Sequence, residues 1–206
     1  MSAVVERAGA VQSVHRRPTE KRRGEIGMWL FIGTEAMLFA LLFFAYFYLG
    51  ASKPQWPLEE DPPYTLALVL LAILAISSGV AEWAKRGVAK DQTGRLKIGL
   101  GLTLLLGAAF IVVQIFEYRA HLPRLRPDDN AYGSIFYTIT SVHFAHVLMG
   151  LGLLLFVFAR ALAGHFSAQR HVAVKNATVY WHFVDLVWIF VVAVIYLSPH
   201  FYAPPP

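Results

Sequence analysis

The sequence predicts an all-α fold, an integral membrane bundle of five transmembrane helices. Three observations predict it. First, the 206 residues are 57% apolar and only 15% charged, against roughly 25% charged in an ordinary globular chain. A soluble protein this small could not cover its surface with so few charges. Second, five apolar stretches have the length of about 20 residues that a helix needs to cross a bilayer. Third, the basic residues gather on alternate connections, the asymmetry that orients membrane helices. With 14% aromatic residues, a chain this apolar buries surface, which excludes disorder. Cysteine is absent, which excludes disulfides, thiolate zinc or copper sites and iron–sulfur clusters.

The elements follow in order. Residues 1–23 form a basic tail without apolar periodicity, expected to be mobile. Residues 24–206 form the membrane domain. Its first span, 27–49, holds one charge and extends about 35 Å as a helix. It starts too late and runs too long for a cleavable signal. The loop 50–63 carries four prolines and the acidic run Glu59, Glu60, Asp61, the mark of a solvated turn-rich connection. The remaining spans are placed at 64–84, 98–118, 132–159 and 178–197.

Fourteen basic residues fall on the tail and on the second-to-third and fourth-to-fifth connections, against four on the other side. This asymmetry puts the N-terminus in the cytoplasm and, after five spans, the C-terminus outside. The net charge of +5 therefore reflects membrane orientation and gives no reason to expect nucleic acid.

Ionisable groups inside spans are costly and usually face the bundle interior. Glu35 lies in the first span, His143 and His146 in the fourth, and His182 and Asp185 in the fifth. Glu82 and Glu117 lie near span ends, within reach of interfacial water. For Glu35 three roles stay open: a carboxyl tying its helix to a neighbour, a proton relay, or a ligand or lipid contact. A lone ionised carboxylate there is expensive, so a partner on a neighbouring helix is expected. His182 and Asp185 match it best in depth. His143 and His146 share a helix face. With His182 and Asp185 they could make four metal ligands on paper, but the pairs differ in depth and no Glu-x-x-His motif accompanies them. Interhelical hydrogen bonding is the plainer expectation, with no metal and no catalytic residue. Trp29, Trp83, Tyr118, Tyr132, Tyr180, Trp181, Tyr196 and Tyr202 fall near span ends and read as an interfacial belt. Gly33, Gly79, Gly150 and Gly152 read as points of close helix approach.

Several runs resemble a known family. Tyr132, Gly133, Ser134, Ile135, Phe136 and Tyr137, followed by His143, Phe144, Ala145, His146 and Gly150, resemble the penultimate helix of subunit III of haem-copper oxidases. Tyr180 through Trp188, reading Tyr-Trp-His-Phe-Val-Asp-Leu-Val-Trp, resembles its last helix and is highly specific. Phe31 to Phe39 resembles the glutamate-bearing helix. Ser78, Gly79 and Val80 with Trp83, and Gln114 with Glu117 and Tyr118, resemble the two helices between. The likeness runs from about Gly27 to Leu197. Longer members have seven helices; this chain resembles the short five-helix bacterial form, without the first two. In the longer members those two form one arm of a lipid-filled cleft, which here faces bulk lipid or another chain.

The resemblance implies an accessory subunit of a bacterial terminal oxidase, reducing oxygen to water with proton pumping, in the cytoplasmic (inner) membrane. It implies no redox centre in this chain, with haems and copper in partner subunits. It also implies packing on subunit I, with subunit II and small subunits in the same complex, and a role in proton uptake and sustained turnover. Glu35 matches the family's carbodiimide-reactive glutamate. Arg160, His165, Arg170 and His171 match positions that contact anionic phospholipid head groups. Charge alone supports that, at about 1 kcal/mol per Lys or Arg near an anionic surface, although ordinary positive-inside charge explains the loop equally well. The related subunit of a nitric oxide reductase or quinol oxidase is an alternative. A stand-alone membrane metalloenzyme or transporter using the His, Asp and Glu side chains is another.

Overall fold

The computed structural model describes residues 2–51, 53, 56 and 64–198, with side chains from Arg22 onward. It contains five helices: α1 (Ser2–Ala51), α2 (Thr65–Val88), α3 (Thr93–His121), α4 (Ala131–Leu162) and α5 (Val172–Val191). The chain continues from α5 as a π-helical segment, Val192–Leu197. Among the described residues the β-structure is one isolated bridge, Ser167 to Arg170. Five stretches are long and apolar enough to cross a membrane: Arg22–Ala51 within α1, Thr65–Val88, Thr93–His121, Ala131–Leu162, and Val172–Leu197, which joins α5 to the π-helical segment.

The helices outrun the apolar stretches. α5 starts at Val172 and includes Lys175 and Asn176 before the expected span begins. Hydropathy marks the hydrocarbon core, whereas a helix can continue through the polar interface. α1 likewise begins at Ser2, so the basic segment ahead of the first span is a continuation of that helix. α4 has a defined start: the Asn130 side chain accepts a 2.8 Å hydrogen bond from the Gly133 amide, satisfying one of the donors that a helix start leaves free. The tight connection between α2 and α3 puts Asp91 at φ 56°, a conformation that Asp tolerates. Its carboxylate accepts a 2.6 Å bond from the Ala168 amide, joining this turn to the α4–α5 loop.

α5 is the central helix and α1 the peripheral one. In their most apolar windows, 56% of α5 residues are buried but only 17% of α1 residues. Trp181 and Trp188 of α5 are fully buried. The Trp181 indole NH donates to Ser77 Oγ of α2 at 2.9 Å. Its ring fits against Gly107 of α3 and Gly150 of α4, where an added Cβ would press on the indole or on Leu151. Gly150 therefore is a close approach, as expected, whereas Gly33, Gly79 and Gly152 face open space.

The aromatic belt is only partly one. Trp29 and Trp83 are exposed, but Tyr132, Tyr180, Trp181 and Tyr196 are buried. Those four sit near span ends in sequence yet point inward, because depth along a helix says nothing about the direction around it. Tyr202 lies outside the described residues.

Candidate functional site

α1 packs against α4 and α5. At that seam Glu35 Oε2 lies 2.8 Å from His146 Nε2. His146 Nδ1 lies 2.8 Å from the Val142 carbonyl. A carbonyl only accepts, so Nδ1 carries a hydrogen and the ring presents Nε2 to Glu35. The short contact at Nε2 then requires one proton held between the carboxyl and the imidazole. Tyr180 OH donates to the His146 carbonyl at 3.4 Å, and the Tyr180 ring stacks on Phe31 at 6.0 Å. These contacts tie α1, α4 and α5 together at one level.

The partner of Glu35 is thus His146, and not His182 or Asp185 as depth suggested. His182 points to α2, with Nε2 3.4 Å from Glu82 Oε2. Glu82 also pairs with Lys85 at 2.5 Å and Arg86 at 3.0 Å, which makes a charged cluster on the α2 and α5 surfaces. Asp185 is half-buried, and its Oδ1 makes no hydrogen bond.

His143 shares a helix face with His146 but does not join the pair. It is 1% exposed, stacks on Trp188 at 4.9 Å, and meets Phe39 and Phe110 edgewise at 6.3 Å and 6.0 Å. Neither ring nitrogen has a hydrogen-bond partner. The expected interhelical bond therefore forms from one histidine of the two. No group of three or more His, Asp or Glu among the described residues is placed to hold a metal ion.

Next to the Glu35–His146 pair, an apolar groove of about 350 Å³ opens between α1 and α5. Ile32, Ala36 and Phe43 line it from α1, and Phe183, Leu186 and Phe190 from α5. Phe39 joins groove and pair, since it lines the groove and contacts the His146 ring at 5.0 Å.

Comparison with known proteins gives the family. The family model for cytochrome c oxidase subunit III matches residues 4–199. The chain belongs to that family. It is 37% identical to the cytochrome c oxidase subunit 3 of Drosophila yakuba over 178 residues, which covers 82% of this chain and 67% of the fly protein. It is 34% identical to that of Anopheles gambiae over 200 residues, 93% of this chain and 75% of the relative. The subunit 3 of Thermostichus vulcanus is 32% identical over 206 residues, 98% of this chain and all of that protein.

The other candidate positions of this subunit III chain lie in the last turn of α4, which holds Arg160, and in the loop that follows it, which holds His165, Arg170 and His171. The Arg160 guanidinium sits over the rings of Phe156 and Phe166, 5.7 Å from each centroid. His165 and Arg170 are exposed and His171 is half-buried. The His165 amide donates to the Arg160 carbonyl at 3.1 Å, and the Arg170 amide to the Ser167 carbonyl at 3.0 Å. The loop is thus a folded turn that presents basic side chains.

A second buried polar group, expected at the interface from its place near a span end, lies near the C-terminal end of α3. Glu117 is 0% exposed. Tyr196 OH donates to Oε1 and Gln114 Nε2 to Oε2, each at 2.6 Å. Gln114 lies one turn away on the same helix, a spacing visible in the sequence. Tyr196 comes from the π-helical segment, which no sequence pattern announced.

Proposed function

We propose that this chain is the accessory subunit III of a bacterial terminal oxidase, packed on the haem- and copper-bearing catalytic subunit and carrying no redox centre itself. Supporting this is the family match over nearly the whole chain, together with a relative matched over its whole length. The chain lies in the cytoplasmic membrane with its N-terminus inside, as its fourteen-to-four basic asymmetry favours. Its work is to hold lipid and to support proton uptake and sustained turnover by the complex.

Two features supply that chemistry. The α1–α5 groove is apolar and open, suited to an acyl chain. The last turn of α4 offers Arg160, held by two phenyl rings, and the loop after it adds His165, Arg170 and His171 for an anionic head group. The Glu35–His146 pair holds one proton beside the groove and fastens α1.

Purification of the tagged chain in mild detergent tests the reading. A larger haem-bearing chain is expected to co-purify, with phosphatidylglycerol or cardiolipin. Replacing Arg160, His165 and His171 together by Ala should lower the anionic lipid retained. Isolation of the chain with no haem protein would overturn the assignment, and unchanged lipid content would overturn the lipid site.

A further inference from the structure

The two basic segments 85–97 and 160–175 contain one acidic residue, Asp91. Two costs attach to it. A carboxylate among basic side chains weakens their hold on an anionic head group. Its backbone also sits at φ 56°, the left-handed region that glycine occupies most easily. What the side chain does there is accept the Ala168 amide at 2.6 Å, a charge-assisted bond across to the chain between α4 and α5. Both ends of that bond belong to fixed pieces. On the Asp91 side, the Gly87 carbonyl accepts from the Lys90 and Gln92 amides, each at 3.0 Å, and Gly87 and Val88 are buried. On the other side, Ala168 lies in the turn 167–170, closed by the Ser167–Arg170 bridge. Phe166, buried just before that turn, lies under the Arg160 guanidinium. His171, just after it, donates from Nδ1 to the Ser167 carbonyl at 3.3 Å.

We propose that Asp91 is a positioning residue of the anionic head-group site, acting through the Ala168 amide. Its carboxylate ties the turn 167–170 to the α2–α3 turn and so sets where Arg160, Arg170 and His171 stand relative to one another. The inference rests on the lipid reading of that basic surface and adds the residue that holds the surface in shape. The sign of one effect separates this role from that of a mere neighbour. Removing a bystander carboxylate raises the positive potential and increases the anionic lipid held. Removing a positioning carboxylate decreases it, against that potential.

The test uses the full chain in its native assembly, stripped of lipid in detergent and supplied with phosphatidylglycerol and phosphatidylcholine, with bound lipid read by mass spectrometry. Asp91→Asn keeps an acceptor and tolerates the backbone angle, and is expected to bind at least as much phosphatidylglycerol as the unchanged chain. Asp91→Gly relieves the angle but removes the acceptor. It is expected to bind about threefold less, with phosphatidylcholine unchanged and faster hydrogen exchange at the Ala168 amide. Phosphatidylglycerol unchanged or raised in Asp91→Gly overturns the inference, as does unchanged exchange at Ala168. Equal losses in the Asn and Gly variants overturn it too, since the acceptor would then not be what matters. Should Asp91→Gly fail to assemble, Ala168→Pro in the Asp91→Asn background decides. Proline suits the second position of a turn and removes the donor without changing charge. About threefold less phosphatidylglycerol than in Asp91→Asn alone is expected, and equal binding overturns the inference. Replacing Arg160, His165 and His171 by Ala separates the two readings. Loss of phosphatidylglycerol there but not in Asp91→Gly sinks this inference alone, and no loss in either sinks the lipid site with it.

Discussion

Glu35 and Glu117 are both carboxyl groups inside the helix bundle, and the chain holds them differently. Glu35 stands on the peripheral helix, its side chain 21% exposed, and meets one imidazole across the α1–α4 seam. Glu117 stands on α3, fully buried, and receives two short bonds, one of them from the end of α5. The first side chain docks one helix on a finished bundle; the second is part of what finishes it. Burial raises the cost of leaving a partner unpaired, so the same change should cost more at Glu117.

Four substitutions test that contrast. Glu117→Leu should have the largest effect. It strands two buried donors, at about 1–3 kcal/mol each, so a loss of roughly 3 kcal/mol in thermal stability of the assembled subunit is expected. A loss below that of Glu35→Leu would erase the difference. Glu35→Leu itself strands one partly buried ring nitrogen and should cost about 1–2 kcal/mol, read as weaker retention of α1 in a chain cleaved between α1 and α2. Glu35→Gln keeps a hydrogen-bonding group at the same place. It should cost under about 1 kcal/mol, leaving assembly, turnover and protons pumped per electron unchanged in proteoliposomes. Full assembly with markedly fewer protons pumped would make Glu35 a proton relay rather than a fastener. The smallest effect is expected for Lys175→Ala. It removes the 3.0 Å pair with Glu25, a half-exposed α1–α5 contact worth about 0.2–1 kcal/mol. A shift in midpoint temperature near that of Glu35→Leu would mean that the surface pair, and not the seam, secures α1.

The spans and the number of helices were legible in the sequence because hydropathy reports burial in lipid directly. The partners of the polar residues were not. Depth along a helix predicted His182 and Asp185 for Glu35, but pairing depends on rotation about the axis and on which helices touch. α1 touches α4 and α5, and the inward face of α4 there carries His146. His182 turns toward Glu82 instead. The apolar stretch ends beside Glu117, which in the sequence alone places it at the interface. α3 runs on to His121, and the widened turn at the end of α5 brings Tyr196 back over the carboxyl. A change from α- to π-helix leaves no mark on hydrophobic periodicity, so this contact was invisible until the chain was folded. The pattern of aromatic residues failed in the same way: Trp181 and Tyr180 fall near a span end but fill the centre of the bundle.

The wide separation of Glu35 and His146 also has a consequence for how the chain is made. They are 111 residues apart. At about 5–20 residues per second, a ribosome needs roughly 5–20 s to deliver the histidine after the glutamate. During that interval the first helix is already offered to the membrane, while α2 and α3 can close on each other through their short turn. The glutamate must wait, uncharged in lipid or held back at the surface. Its helix is therefore made well before the helix that supplies its partner.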